Sequence, residues 1–164
     1  MPVVALREDP YDHRRMWKEL IARHAGEVEV EFTTPATDDA LSGAAEILGH
    51  PLPAELISVL RESNGIVGEY GYDLVSPLET ITQRNLELRS SFSDLYMAFD
   101  QLLFFSDVPG NGDLFGIVLV PGQSDQVFLW DHETDSRRWA ASSVQEFVER
   151  WLNGVIQEQL GCEA

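Results

Sequence analysis

Between Asp107 and Asp113 the chain reads Asp-Val-Pro-Gly-Asn-Gly-Asp, which sets carboxylates and an amide around two glycines. Oxygen ligands at this spacing suit a hard cation. Asp107, Asn111 and Asp113 could supply them, with Gly112 in the sixth position of an EF-hand loop beginning at Asp107. Pro109 then falls where the third ligand belongs and Val118 where the bidentate glutamate belongs, so the EF-hand reading fails. A hairpin turn is the simpler reading, and a weak cation site of another kind is its alternative. Gly110 and Gly112 also resemble part of a phosphate loop, but no lysine follows and the acidic neighbours would repel phosphate. His13, His24, His50 and His132 are far apart, with no pair at the i, i+4 spacing of helical metal ligands, and each reads as a surface or helix-flanking residue. No Gly-x-Ser-x-Gly elbow is present. The 28 acids could contain a carboxylate pair for glycoside hydrolysis, yet nothing selects one pair over another. Cys162 has no partner cysteine for a disulfide or a thiolate zinc site. These residues therefore point to a binding protein without catalytic residues, cofactor or metal, with a carboxylate-dependent hydrolase as the minor alternative.

The charge balance limits the partners. Acids outnumber Lys and Arg 28 to 11, a net charge of −17. Nucleic-acid binding rests on neutralising phosphates with basic side chains, and anionic membranes attract the same groups, so both partners are disfavoured. A basic protein partner remains, and so does acidity as a simple aid to solubility. Met1–Arg15 has no apolar signal core, and Leu114–Val120 is too short to span a bilayer, so the reading is of a cytoplasmic protein. A length of 164 residues without repeats or linkers fits a single domain, residues 1–164.

The elements that must carry these groups can be read from periodicity. Asp9-Pro10 opens a first helix that runs to Ala25, with Met16, Trp17, Leu20, Ile21 and His24 at helical spacing and Gly26 closing it. Glu27–Phe32 alternates as a strand or extended connector. A second helix starts near Thr37 and stops at Gly49, and a third follows Leu52-Pro53 and ends at Asn64-Gly65. Gly68, Tyr70, Gly71 and Tyr72 suit a strand or hairpin, and Ser76-Pro77-Leu78-Glu79 reads as a capping box with proline in the first helical position. Ser90–Asp100 has no clear period and reads as a loop or frayed helix. Leu102–Ser106, Leu114–Val120, Gln126–Asp131 and Arg137–Ala141 read as strands, with Leu114–Val120 covered on both faces and turns at Pro121-Gly122 and His132–Ser136. Ser143 and Glu146 make a second capping box for a long closing helix that places Val144, Phe147, Val148, Trp151, Leu152, Val155 and Ile156 on one face. Helices, then an antiparallel meander of about four to six strands, then a helix: the order is that of an α+β fold.

Leu52-Pro53 leading to Ser63-Asn64-Gly65, Ser76-Pro77-Leu78-Glu79, Phe104-Phe105-Ser106-Asp107, the glycine-rich turn, two strands and the Ser-Val-Gln-Glu-Phe-Val helix from Ser143 follow in a set order. This order resembles the SUKH superfamily, which includes fungal cell-wall assembly regulators and many bacterial proteins. The resemblance covers about Thr34 to Trp151 and leaves the helix of residues 9–25 outside it. It implies an α+β fold with helices flanking an antiparallel sheet. In bacteria it most often implies an immunity protein that binds and neutralises a polymorphic toxin, often a nuclease. The fungal branch implies a non-enzymatic regulatory adaptor instead. The family's glycine-rich turn often carries a longer glycine run than Pro109-Gly110-Asn111-Gly112.

Between Ser90 and Ser136 stand eight acids (Asp94, Asp100, Asp107, Asp113, Asp125, Asp131, Glu133 and Asp135) and no Lys or Arg. Such a patch would steer a basic nuclease cleft, or its acids are solvated residues at strand ends. The partner-binding candidates are Tyr70, Tyr72, Asp107, Asn111, Asp113, Asp131 and Glu133, with Tyr96 as a further aromatic outside the core patterns. Solvated carboxylates contribute little to folding, so neutralising Asp107, Asp113, Asp131 and Glu133 should leave stability nearly intact. Trp17, Trp130, Trp139 and Trp151 read as core.

Overall fold

The computed structural model describes residues 16–92, 94–120 and 125–160. Among these, six helices accompany seven strands: α1 (Met16–His24), α2 (Asp38–Leu48), α3 (Ala54–Glu62), α4 (Leu78–Ser91), α5 (Val144–Leu152) and α6 (Val155–Gln159). Strands β1 (Glu31–Phe32), β2 (Ile66–Val67) and β3 (Asp73–Val75) make one antiparallel sheet in the order β1-β2-β3. Strands β4 (Leu102–Asp107), β5 (Leu114–Val118), β6 (Val127–Trp130) and β7 (Arg137–Ala141) make a meander in the order β4-β5-β6-β7. The architecture is α+β, as expected. In place of one sheet there are two, which meet where β3 lies against β4. Across the seam the Ser76 N–H donates to the Phe105 carbonyl at 2.7 Å, and Ser106 Oγ donates to the Asp73 carbonyl at 3.3 Å.

Strand β5 is apolar because both its faces are covered. Phe115 and Ile117 join the main core with Leu103, Phe105 and Phe147. Leu114 lies in a second cluster with Leu88, Phe99, Phe104 and Trp130. A Cβ on Gly116 would sit 3.1 Å from the Phe104 ring, so the glycine makes room for that aromatic. Within the second cluster the Phe104, Phe99 and Trp130 rings meet at centroid distances of 5.1–5.5 Å. Such edge and tilted pairs favour a fixed arrangement over a fluid one.

Two helix starts follow local rules. Thr37 caps α2 by accepting from the Ala40 N–H, and Gly49 ends it in the left-handed conformation. Ser143 Oγ accepts from the Glu146 N–H at 3.0 Å, while the Glu146 carboxylate reaches back to the Ser142 N–H. Two others are supplied from a distance. The buried Glu62 carboxylate accepts from the Trp17 and Lys18 N–H groups at the described start of α1. The expected start at Asp9-Pro10 lies outside the described residues, as do the Pro121-Gly122 turn and Cys162.

The capping box expected at Ser76-Pro77-Leu78-Glu79 does not form. Pro77 is the cap residue of α4, with no side-chain bond of its own, and Ser76 is buried at the seam between the sheets. Asn64 replaces it: its Oδ1 accepts from the Leu78 N–H at 2.8 Å, and its Nδ2 donates to the Glu79 carboxylate at 3.2 Å. Gly65, at φ +93°, makes the left-handed step that Asn64 was expected to share.

The long closing helix is also interrupted. Gly154 adopts φ +79°, ending α5 and starting α6, and the break buries Ile156 while Val155 is only half-buried. Trp17, Trp130 and Trp151 are buried, but Trp139 is 45% exposed, which corrects its placement in the core. It lies on β7, the outer strand of its sheet, where alternation turns it away from the buried Ala140. The Arg150 guanidinium sits over its ring at 5.4 Å. Among the described residues no helix is long and apolar enough to cross a membrane.

Candidate functional site

The β4–β5 turn is built around Asp113. Asn111 Oδ1 accepts from the Asp113 N–H at 2.8 Å, and Asn111 Nδ2 donates to Asp113 Oδ2 at 3.1 Å. Gly110 and Gly112 both take φ near +80°, which a side chain at either place would strain. Strand register then delivers the partner. Leu114 pairs with Trp130, so Asp113 stands opposite the segment Asp131-His132. Asp113 Oδ1 accepts from the His132 N–H at 3.0 Å and lies 2.6 Å from His132 Nδ1. Asp131 Oδ1 accepts from the Glu133 and Thr134 N–H groups and shapes the β6–β7 turn. Asp135 takes φ +57° and accepts from the Trp130 indole and the Met97 N–H, each at 2.8 Å. Arg137 then donates to the Met97 and Ala98 carbonyls and covers the Phe99 ring, so the 97–99 segment is held against this hairpin.

Beside the turn lies a groove of about 640 Å³, bounded by α4, the 108–113 turn and the Trp130–His132 end of the sheet. Of the candidates read from the sequence, Tyr72, Asp107, Asn111 and Asp113 line it. Asp131 and Glu133 stand in the next turn, next to His132 and outside the lining. Tyr70 is at the tip of the β2–β3 hairpin, 82% exposed and at φ +59°. A bulky residue in that region of backbone space is strained, and such strain tends to collect at functional surfaces. Sequence reasoning missed Arg84, Glu87, Trp130 and His132 as lining residues. For Trp130 and His132 the signal was available: pairing the two apolar strands in register places them opposite Leu114 and the turn. Arg84 and Glu87 gave no signal, since only the packing of α4 on the sheet brings them here.

The carboxylates are not simply solvated, which corrects two expectations. Asp107 pairs with Arg84 at 2.9 Å, and Asp113 is only 9% exposed. Substituting either disturbs structure as well as surface charge. The stretch without Lys or Arg in sequence is not free of bases in space, because Arg84 and Arg137 reach Asp107 and Asp135. His132, expected to be an isolated surface residue, is instead the partner of Asp113. Ligand atoms of Asp113, Asp131 and His132 lie within 4.8 Å of one another. The Asp113 oxygen and the His132 nitrogen nearest each other already share a hydrogen bond, so the arrangement serves the turn directly. Asp107 is engaged by Arg84, while Asn111 and Asp113 bond each other within the turn.

Residues 35–150 match the SMI1 / KNR4 family (SUKH-1). The chain belongs to this family. The matched span includes the whole groove and both sheets apart from β1, and leaves α1 and α6 outside. A comparison with curated proteins finds no match to this SUKH-1 chain.

The hydrogen bond that Asp113 accepts from the His132 ring, aided by the negative charges of Asp113, Glu133 and Asp131, raises the His132 pKa above its ordinary 6.5. A folded-state pKa raised in this way stabilises the protein fully below the unfolded value, and the contribution is lost as pH rises through the raised value. Titrating the His132 ring by NMR should therefore give a midpoint above 6.5, and Asp113→Asn should bring it down. An identical midpoint in both proteins would show that the pair is not coupled.

Proposed function

We propose that this SUKH-1 chain is a non-catalytic protein-binding domain, and specifically a cytoplasmic immunity protein that binds and neutralises a basic toxin of the nuclease class. The observation that carries this reading is the groove itself. It is an acidic, aromatic-lined recess beside an exposed, strained tyrosine, in a chain of net charge −17. Nuclease toxins must hold phosphate and so present basic clefts, to which such a face is complementary. Aromatic residues of the groove, once covered by a partner, would supply desolvated anchors of the kind that dominate interface energies. The Asp113–His132 pair has the carboxylate-to-Nδ1 arrangement that orients a catalytic imidazole. Among the described residues, no serine, threonine or cysteine lines the groove beside that imidazole.

The test is co-expression with the product of a toxin gene adjacent to this one. Restored growth and a co-purifying complex are expected. Toxicity unrelieved by the chain, with no complex formed, would contradict the immunity reading and leave the regulatory adaptor as the better one. Turnover of a glycoside, ester or nucleotide substrate that a single carboxylate substitution abolishes would overturn the non-catalytic reading.

A further inference from the structure

The groove has more carboxylates than basic side chains and is lined by four aromatic side chains. Glu87, Asp107 and Asp113 face a single guanidinium, that of Arg84. Arg84 is held by Asp107 at 2.9 Å and also reaches Ser76 Oγ, while Asp113 is held by His132. Glu87 is exposed on α4, and its carboxylate has no hydrogen-bond or ion-pair partner among the described residues, only its main-chain carbonyl accepting from Ser90. The nearby Asp73 carboxyl has its pKa raised, by burial first and by the Asp107 charge second. Tyr72, Phe92 and Tyr96 supply ring surface in the same lining, next to the buried Trp130. A planar cation satisfies both features at once, since guanidinium stacks on aromatic faces and bonds carboxylates at its edge.

We propose that the groove between α4 and the 108–113 turn receives an arginine side chain of the protein partner, stacked among the aromatic rings and paired with Glu87. This rests on the reading of a basic protein partner and specifies how that partner is held. Arginine is favoured over lysine because a compact, strongly hydrated ammonium gains less from the rings.

The test is an NMR titration of the full chain with the capped tripeptide acetyl-Gly-Arg-Gly-amide. Its lysine and citrulline counterparts are run beside it, the latter keeping the shape and losing the charge. The arginine peptide should shift the Gly110, Gly112 and Trp130 indole N–H signals saturably. Glu87→Gln and Tyr72→Ala should each weaken it about two- to fivefold. Equal response to citrulline or to lysine would overturn the proposal, as would unsaturable shifts spread over the acidic surface. Saturable arginine binding without rescue from the toxin would remove the immunity reading and leave the groove assignment standing. Rescue by the chain, with the groove silent to arginine, would do the reverse.

Discussion

Replacing Trp151 with alanine is expected to destabilise the protein by about 3–5 kcal/mol, the usual range for deleting a buried aromatic. Trp151 is 3% exposed on α5, and its ring tip fits against the main chain of Gly68. A Cβ on Gly68 would lie 2.6 Å from Trp151 Cη2, so only glycine leaves room for the indole. The contact ties the C-terminal helix to the hairpin that carries Tyr70 and Tyr72, and thus packing to the candidate site. For a chain of this size the loss corresponds to a drop in Tm of about 6–20 °C. Gly68→Ala should also destabilise, by steric conflict alone, since Gly68 has an ordinary φ of −103°. A melting temperature unchanged by Trp151→Ala would show that α5 is misplaced.

Asn85→Leu is expected to be nearly as damaging, for a different reason. Asn85 is 1% exposed and imitates a neighbouring strand. Its Oδ1 accepts from the Phe104 N–H and its Nδ2 donates to the Phe104 carbonyl, both at 2.9 Å, with a further bond to the Ile81 carbonyl at 2.7 Å. The outer edge of β4 is thereby satisfied by a side chain of α4, which also shields it from edge-to-edge association. Leucine has nearly the same shape but leaves two buried main-chain groups of Phe104 unpaired, at about 1–3 kcal/mol each. Chemical denaturation would measure the loss, and faster hydrogen exchange at the Phe104 amide would locate it. Wild-type stability in the variant would mean that water or a local shift satisfies the edge.

These residues also show what could be read from the sequence and what could not. Where a signal is local, as in the Thr37 cap, the Ser143 cap or the unbroken apolar run of β5, the pattern and the structure agree. Where the deciding contact comes from far along the chain, local reading fails. Ser76 has the sequence of a cap, yet Asn64 takes that role because burial at the seam claims Ser76. Trp139 lies in a segment that reads as a strand, but outer-strand position decides its exposure. Val155 and Ile156 continue the helical period of α5, and one left-handed glycine breaks it. The site divides in the same way. Four of the seven candidate residues line the groove because the glycine-rich turn and the Tyr-Gly-Tyr hairpin are legible punctuation; His132 follows once the two apolar strands are paired in register, whereas Arg84 and Glu87 come from the packing of α4 on the sheet.

The central claim is that the acidic groove face binds a basic protein partner, and association kinetics test it most directly. The substitutions are Glu87→Gln, Asp131→Asn and Glu133→Gln; Asp107 and Asp113 are left intact because Arg84 and His132 depend on them. Asp131 is held ionised chiefly by the Glu133 N–H, and asparagine keeps an oxygen for that bond. With the partner captured on a sensor surface at several ionic strengths, the triple variant should associate about tenfold or more slowly at low salt and converge with the wild type at high salt. Identical association at low salt would contradict the account and reduce the chain's acidity to an aid to solubility.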